Sequence, residues 1–238
     1  MTQLLYLEDS YIFSGAGTVT ETGEDERGTY VTLDQTVLYP QGGGQPADQG
    51  ELIWDGNIAA VKFVGFVDGH VRHYFDRNQL PPTGTKVEIR VNELLRRRNC
   101  RGHTAGHLVA HVAESLFPRI IATKGYHFAD DPHVECANVE PPSDENAIAR
   151  INEQLAKCIN DNMPVTSMIL SFDELRQMCP HVPANLPKDK PLRAVQIGDF
   201  PPVPCGGTHV KSLSELGPVT VAKIKGKKGN TKISYSFE

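Results

Sequence analysis

The sequence predicts an α+β protein in which a small antiparallel β-barrel is followed by a two-layer α/β domain with an antiparallel sheet. Two observations favour this fold class. Up to residue 91 the chain consists of short segments rich in β-branched and aromatic residues, such as GTYVTL and KVEIRV, separated by Gly, Asp and Asn turns. From residue 92 onward, apolar residues recur at helical spacing. We therefore expect two domains, 1–91 and 92–238.

The second domain is expected to contain three helices. The first follows from the helical pattern that begins at residue 92 and stops at Pro118. Residues 143–162 predict the second, opened by the cap signal Ser143-Asp144-Glu145 and closed before Pro164. The segment SMILSFDELRQMC predicts a strand and then a shorter helix, whereas RAVQIG, GPVTVAKIKG and KISYSFE predict strands.

Composition argues against a membrane protein and favours a reducing compartment. No apolar run approaches the roughly 20 residues needed to cross a bilayer, and the N-terminus lacks the pattern of a signal peptide. The five cysteines form no CxxC pair and are odd in number, which argues against a disulfide framework. We therefore expect a cytoplasmic location, with a thiolate available to bind a metal.

The formal net charge of −5 gives no general attraction to nucleic acid, so an RNA partner would need local basic surface. Five arginines between residues 90 and 101, among them Arg97 and Arg98, form one such cluster. The six lysines from Lys211 onward form a second. Both clusters are candidates for contacts with phosphates, although many such residues are simply solvated surface.

Two short motifs predict a metal site. His103 and His107 lie four residues apart in the predicted helix, so their imidazoles share one face about 6 Å apart along its axis. Alone, this pair is explained equally well as polar helix surface. The segment PCGGTH adds the thiolate of Cys205 and the imidazole of His209, and its two glycines allow a tight turn around an ion. Three nitrogens and one sulfur suit zinc, which we expect these four residues to bind.

Two further details limit the metal site and its chemistry. His111 lies about 12 Å from His103 along the helix axis, so it cannot share one ion with His103, and we expect it to pack or to lie at the surface. Thr104 occupies the position that glutamate, the general base, takes in the HExxH motif of zinc peptidases. This substitution argues against a peptidase.

The ordered motifs GGGQ, HTAGH and CGGTH closely resemble the alanyl-tRNA editing family. This family comprises the editing domain of alanyl-tRNA synthetase and free-standing AlaX-type proteins, and a related domain occurs in threonyl-tRNA synthetase. The segment YPQGGGQPAD, the NCRGH that leads into the first pair and the later NMPV also resemble the family. The resemblance covers almost the whole chain and is closest to the medium-sized AlaX class.

The resemblance implies a hydrolase that cleaves the ester between a misattached amino acid, usually serine and sometimes glycine, and the terminal adenosine of alanine tRNA. No ATP-binding synthetase core is evident in the sequence, so we expect the chain to act in trans on finished, mischarged tRNA. Zinc could polarise the ester carbonyl, orient the amino acid or acidify a water molecule, and the sequence does not separate these roles. It also leaves the oligomeric state open.

The resemblance also suggests substrate contacts. Gly43, Gly44 and Gln45 of the glycine-rich segment are expected to approach the acceptor end of the tRNA, although a tight turn of the barrel would explain the glycines as well. Thr123 stands before Lys124-Gly125, where synthetases commonly carry a glutamine. We expect Thr123 to contact the substrate as a catalytic-site residue, with Lys124 beside it; a threonine at a strand start is the alternative.

His127 and Glu135 lie in a less typical stretch, and they could line the same pocket or only its outer wall. Two rival functions stay open. One is a non-catalytic, zinc-stabilised tRNA-binding module, and the other is a zinc hydrolase that acts on a different small ester or amide.

Overall fold

A computed structural model describes residues 2–76, 80–137, 139–179, 181–183, 186–227 and 229–237. The chain divides into two units, Met1–Cys100 and Arg101–Glu238. The predicted domain boundary between residues 91 and 92 stays a prediction, because the helix that begins at Glu93 continues past the division between the units.

The first unit contains eight described strands, and six of them form a closed antiparallel barrel, as the sequence predicts. The strands are β1 (Gln3–Leu4), β2 (Ser14–Asp25), β3 (Gly28–Leu33), β4 (Gln35–Thr36), β5 (Gly50–Trp54), β6 (Asn57–Val67), β7 (His70–Phe75) and β8 (Lys86–Val91). The barrel order is β2-β3-β7-β6-β5-β8, and β1 pairs with β4 in a separate parallel sheet. A short 3₁₀ turn, Leu5–Leu7, follows β1.

Among the barrel strands, alternation of apolar and polar residues is clearest in β8. In β8, Val87, Ile89 and Val91 are buried in the barrel core, whereas the residues between them are exposed. Two Asp-Gly pairs, at 55–56 and 68–69, connect β5 to β6 and β6 to β7, and all four residues have positive φ angles between 45° and 80°. This is the geometry of a type I′ turn, whose twist matches that of the flanking strands.

A buried ion pair fixes the glycine-rich segment of the first unit. Arg96 and Asp48 are fully buried and joined by a charge-assisted pair, with Arg96 Nε 3.0 Å and 2.9 Å from the two carboxylate oxygens. Arg96 also donates to the carbonyl oxygens of Ser10 and Val37. Asp48 in turn accepts the backbone N–H of Tyr39 at 2.6 Å. The prediction that Arg96 belongs to a basic surface is therefore wrong, because its side chain is buried and bonded to groups inside the first unit.

The second unit packs helices on antiparallel sheets, in agreement with the predicted fold class. Helix α1 (Glu93–Leu116) leads into it, and α2 (Ala147–Asn160) and α3 (Phe172–Met178) lie within it. Its described strands are β9 (Ala122–Tyr126), β10 (His133–Cys136), β11 (Val165–Leu170), β12 (Leu192–Ile197), β13 (Val203–Pro204), β14 (Val219–Lys227) and β15 (Asn230–Phe237). They form a four-stranded sheet, β14-β15-β10-β9, and a three-stranded sheet, β11-β12-β13. A 3₁₀ turn spans Leu213–Glu215.

The ends of the helices follow the local capping chemistry. Helix α1 ends before Pro118, as predicted, and α3 begins with a capping box formed by Ser171 and Glu174. The predicted start of α2 at residue 143 is wrong, because the Asp144 carboxylate accepts the N–H of Asn146 and closes a turn before the helix. Helix α2 docks on β14 through Asn152, which bonds to both the N–H and the carbonyl of Val221.

Within the described residues, no helix is long and apolar enough to cross a membrane. No disulfide joins the five cysteines, all of which belong to the described part of the chain. The cytoplasmic location stays a prediction.

A buried histidine in the barrel should make stability depend on pH. His73 is fully buried, and its Nε2 lies 2.9 Å from Thr36 Oγ1 while its Nδ1 lies 3.2 Å from the Val31 carbonyl oxygen. Burial lowers the pKa of His73 to about 4. Because the unfolded chain holds this histidine near its ordinary pKa of about 6.5, the unfolded state binds more protons between these two values.

We therefore expect the free energy of unfolding to fall as pH is lowered from about 6.5 to about 4, with His73 contributing at most roughly 1.4 kcal/mol per pH unit. Urea denaturation of the full chain across this range, compared with His73→Gln, measures the contribution. The variant should show a shallower dependence, since its side chain does not titrate. Equal slopes for the two proteins would contradict this expectation.

Candidate metal centre

Four side chains from two distant segments converge in the second unit. One ligand atom from each of His103, His107, Cys205 and His209 lies within 4.8 Å of the other three. The ring centroids of the histidines are 4.4 Å to 4.8 Å apart. His103 and His209 are buried, whereas His107 and Cys205 are partly exposed. The predicted convergence of the two motifs is present.

Helix α1 supplies His103 and His107, and Thr104 of the same helix orients His209 of the second pair. Successive turns of α1 bring His103 and His107 to one face. Thr104, which is fully buried, places its Oγ1 3.0 Å from Nδ1 of His209 and accepts the backbone N–H of Val210 at 3.2 Å. With Nδ1 of His209 directed to Thr104, its Nε2 lies 3.2 Å from the Cys205 sulfur. Thr104 therefore directs the nitrogen that faces the other ligands.

An arginine holds the loop that carries the second pair. Arg193, on β12, donates from Nη1 to the carbonyl oxygens of Cys205 at 2.8 Å and Gly207 at 2.9 Å. The backbone N–H of Cys205 donates to the carbonyl of Arg193 at 3.0 Å. The loop also closes on itself, because the Gly207 N–H donates to the Cys205 sulfur at 3.3 Å. These bonds fix the position of the sulfur.

A fourth histidine forms a wall of the cluster. His127 is buried and stacks on His103, with ring centroids 4.7 Å apart and an angle of 27° between the planes. Tyr235 donates its hydroxyl proton to the Gly102 carbonyl at 3.0 Å and lies 2.8 Å from Nδ1 of His127. Because that proton is already engaged, His127 must donate from Nδ1, which leaves the lone pair on Nε2. His127 therefore lies against the cluster, and its place in a substrate pocket stays a prediction.

Two glycines make room for the His127 ring. A Cβ on Gly106 would lie 2.2 Å from the ring, and a Cβ on Gly125 would also lie 2.2 Å from it. Helix α1 and strand β9 therefore approach the imidazole from both sides without side chains between. Larger residues at either position would displace His127 and, through the stacked rings, His103.

The electrostatics of the cluster favour neutral imidazoles. Burial lowers the pKa of His103, His107 and His209 well below the ordinary value, and neighbouring histidines and the Arg193 guanidinium lower it further. Burial raises the pKa of the Cys205 thiol, whereas the Gly207 N–H and Arg193 act in the opposite direction. Neutral imidazole is the form that binds a metal, and a divalent cation would favour the thiolate.

The donor set fits a tetrahedral divalent ion. With metal–ligand bonds of about 2.0–2.3 Å, tetrahedral ligand atoms lie about 3.3–3.8 Å apart. The Cys205 sulfur lies 3.6 Å from Nε2 of His103 and 3.2 Å from Nε2 of His209, which is close to this range. In the described part of the chain, the buried Nδ1 of His107 has no hydrogen-bond partner. Nitrogen and sulfur donors of this kind can hold a metal ion.

Thr123 and Lys124, which are predicted to contact the substrate, and His111, which is predicted to lie outside the metal site, take different positions. His111 is buried and stacks on Phe200 at 5.0 Å, outside the four-residue cluster, as expected for a packing residue. Thr123 is exposed beside a bulge of β9 and donates to the carbonyl of Glu135 at 3.3 Å. Lys124 is exposed and pairs in register with Glu135, one residue away from the Gly125 that meets His127.

The other predicted substrate contacts belong to the first unit. Gly43 and Gly44, with φ angles of 52° and 78°, form a tight turn closed by two backbone bonds between Gly42 and Gln45. Gln45 is buried. Arg97 pairs with Glu93 at 2.8 Å and covers the rings of Tyr11 and Phe13, whereas Arg98 is exposed. Their contacts with a substrate stay predictions.

Sequence reasoning did not identify three residues that support the cluster, namely Thr104, Arg193 and Tyr235. In the sequence, Thr104 indicates only that the glutamate of HExxH is missing, and its position beside His103 does not indicate a bond to His209. Arg193 and Tyr235 lie in ordinary strand patterns. Their partners are backbone carbonyls or distant rings, so no local motif carries the signal.

The Thr104 hydroxyl offers a test of how the site is preorganised. Thr104→Val keeps the shape of the side chain but removes the acceptor for His209 and Val210. We expect its affinity for Co²⁺, measured by competition with a chromophoric chelator, to fall by about 10–100-fold. Thr104→Ser should restore both the affinity and the visible spectrum of the bound Co²⁺. A Val variant that binds Co²⁺ as tightly as the parent chain would rule out this positioning role.

Two family models match separate parts of the chain. The model described as tRNA synthetases class II (A) matches residues 10–95, which contain the glycine-rich segment. The model described as Threonyl and Alanyl tRNA synthetase second additional domain matches residues 192–233, which contain Cys205 and His209. The matches thus cover the barrel and one of the two ligand pairs.

Similar proteins match over almost the whole chain. The alanyl-tRNA editing protein AlaX-L of Pyrococcus horikoshii is 29% identical over 97% of the chain and 56% of its own length. Alanine–tRNA ligases of Methanopyrus kandleri and Pyrobaculum neutrophilum are 29% and 32% identical over 92% and 94% of the chain, which spans 24% and 25% of these ligases. The medium-sized AlaX class stays a prediction, because the chain spans only part of each relative. The resemblance to alanyl-tRNA editing proteins and alanyl-tRNA synthetases is confirmed along almost the entire chain.

Proposed function

We propose that this chain is a zinc-dependent hydrolase that removes a wrongly attached amino acid from mischarged tRNA(Ala), acting in trans. Serine is the main amino acid proposed, with glycine as the second. The observation that carries the proposal is the meeting of three imidazoles and one thiol within 4.8 Å in a partly open site. Similarity to an alanyl-tRNA editing protein over 97% of the chain supports the choice of substrate.

Zinc is the proposed metal because its ligand preferences match the donors. A borderline-soft ion with no preferred geometry of its own accepts imidazole and thiolate together in a tetrahedron. Oxygen-preferring ions such as Mg²⁺ and Ca²⁺ would find no carboxylate in the four-residue group. When bound, zinc would supply Lewis-acid help to ester hydrolysis.

The residues around the cluster would hold the reacting groups in place. Arg193 fixes the loop through two carbonyl oxygens and brings a permanent positive charge close to the histidines. His127 is buried against Gly106 and Gly125 and stacks on His103, so it would hold the His103 ring in place. An aminoacyl ester is already activated, so placement and modest electrostatic help account for most of what the site must supply.

The remaining substrate contacts are proposals drawn from the sequence. Thr123 would contact the amino acid, since its hydroxyl lies on the exposed bulge of β9. Gly43, Gly44 and Gln45 would lie against the acceptor end. For the phosphates, the exposed Arg98 and Lys124 are better candidates than Arg97, which already pairs with Glu93.

A structural metal site is the second candidate, and one observation favours it. All four members of the cluster are protein side chains, and a closed set of four protein ligands is typical of zinc that stabilises a fold. The chain would then be a tRNA-binding module without turnover. The partial exposure of His107 and Cys205 favours the catalytic proposal instead.

A deacylation assay tests the proposed function. The zinc-loaded chain is incubated with Ser-tRNA(Ala), Gly-tRNA(Ala) and Ala-tRNA(Ala), and loss of the labelled amino acid is followed. We expect the serine ester, and then the glycine ester, to be cleaved faster than the alanine ester. Survival of all three esters while tRNA still binds would identify a binding module. Equal cleavage of serine esters without a tRNA body would identify a different hydrolase.

Removal of one ligand should abolish metal binding and activity together. His107→Ala deletes one of four ligands, so we expect loss of stoichiometric zinc and at least about a hundredfold loss of deacylation. His111→Gln, one turn further along α1 and outside the cluster, is the matched control and should keep both. Zinc content by elemental analysis and turnover of Ser-tRNA(Ala) are measured on the same samples. Full zinc content in His107→Ala would contradict the ligand assignment.

A further inference from the structure

The four-stranded sheet of the second unit has one buried face and one solvent-facing face. Val134, Cys136, Ile233 and Tyr235 alternate along β10 and β15 and are buried. The residues between them point to the opposite face, where they are partly or fully exposed to solvent. This outer face carries aromatic rings at one edge and lysines at the other.

Three rings stack on the outer face around β9. Tyr126 lies in register with His133 of β10, and their ring centroids are 5.2 Å apart at 26°. Phe128 stacks on the same tyrosine at 4.5 Å and 19°. All three side chains keep part of their surface exposed to solvent. The three side chains therefore form a nearly parallel, partly exposed aromatic stack.

Lysines continue this face across the sheet. The register places Lys225, Lys232, Glu135 and Lys124 in one row, and Lys223, Ser234, His133 and Tyr126 in the next. Lys225 and Lys232 are direct cross-strand partners, an arrangement that is unfavourable between like charges. The pKa of Lys223 is lowered by the adjacent Lys225 side chain and further by Lys232.

Carboxylates offset only part of this charge. Asp131 pairs with Lys232 at 2.7 Å, and Glu135 lies 3.7 Å from His133. Within the described ranges, no carboxylate forms an ion pair with Lys223 or Lys225. The repulsion between these lysines would be relieved by an anion that spans several of them, as a phosphate backbone does.

We propose that this outer face, formed by Lys124, Tyr126, Phe128, His133, Lys223, Lys225 and Lys232, binds a single-stranded segment of RNA. Bases extend the Tyr126 stack and phosphates lie along the lysine rows. The choice of RNA as the polyanion rests on the proposed function. A single strand fits better than a duplex, because only unpaired bases can stack on protein rings.

Two variants and a matched control test this face. The double variant Lys223→Gln/Lys225→Gln removes two charges, and Tyr126→Ser removes the platform. Lys62→Gln/Lys86→Gln removes two exposed lysines from the barrel and serves as the control. Binding of a fluorescent oligouridine and of uncharged tRNA to each zinc-loaded full-length chain is measured by anisotropy at several salt concentrations.

We expect the lysine variant to bind oligouridine about tenfold more weakly and to lower the slope of log affinity against log salt by about 1.4, or 0.7 for each phosphate contact. Tyr126→Ser should also bind about tenfold more weakly, but with an unchanged slope, because stacking releases no counterions. The barrel control should match the parent chain. Equal melting temperatures and zinc content identify variants that are folded.

Several outcomes would overturn the inference. Unchanged affinity in both sheet variants would do so, as would an equal loss in the barrel control. A Tyr126→Ser variant that weakens binding to duplex RNA as much as to oligouridine would contradict recognition of a single strand. Deacylation of mischarged tRNA separates the two proposals. If the parent chain has no deacylase activity but the sheet variants lose RNA binding, the proposed function is wrong and the inference stands. If the parent chain deacylates mischarged tRNA and the sheet variants keep its KM, its kcat and its affinity for RNA, the inference is wrong and the proposed function stands.

Discussion

The second unit is organised by the need to bury three imidazoles and a thiol side by side. Removal of these groups from water is costly unless their polar atoms find partners, and like groups cannot all satisfy one another. The lowered pKa values of His103, His107 and His209 express this cost: burial is the largest cause, and the positive charge of a neighbouring imidazolium or of Arg193 would lower them further. A shared cation would resolve the conflict, since it would accept a lone pair from each of the four side chains at once.

The surroundings of the cluster are rigid in ways that suit such a centre. Each ligand segment is held by a bond that does not involve the ligand atoms themselves: Thr104 holds His209 by Nδ1, and Arg193 holds the Cys205 loop by its carbonyls. Thr104 is fully buried, and the partners of Arg193 are backbone carbonyls. A site of this kind changes little when an ion enters, so less of the binding energy is spent on ordering the protein.

Much of the fold and the ligand set can be predicted from sequence because the signals are local. Alternation in β8, the Asp-Gly turns and the helical spacing of His103 and His107 each lie within a few residues. The start of α2 could not be predicted, since Ser143-Asp144-Glu145 resembles a helix cap but closes a separate turn. The clamp between Arg96 and Asp48, 48 residues apart, was also invisible, because an arginine-rich segment looks the same whether its members are buried or solvated.

Strand β9 contributes to the surroundings of the histidine cluster on one face of its sheet and to the solvent-facing surface on the other. Gly125 touches the His127 ring on one side, and its neighbours Lys124 and Tyr126 face solvent on the other. A shift of one residue in its pairing with β10 would press a lysine or a tyrosine against the imidazole and turn the glycine outward. The same slip would thus disable the interior and the exterior together. Insertions or deletions in this strand should therefore be tolerated less well than substitutions of its outward side chains.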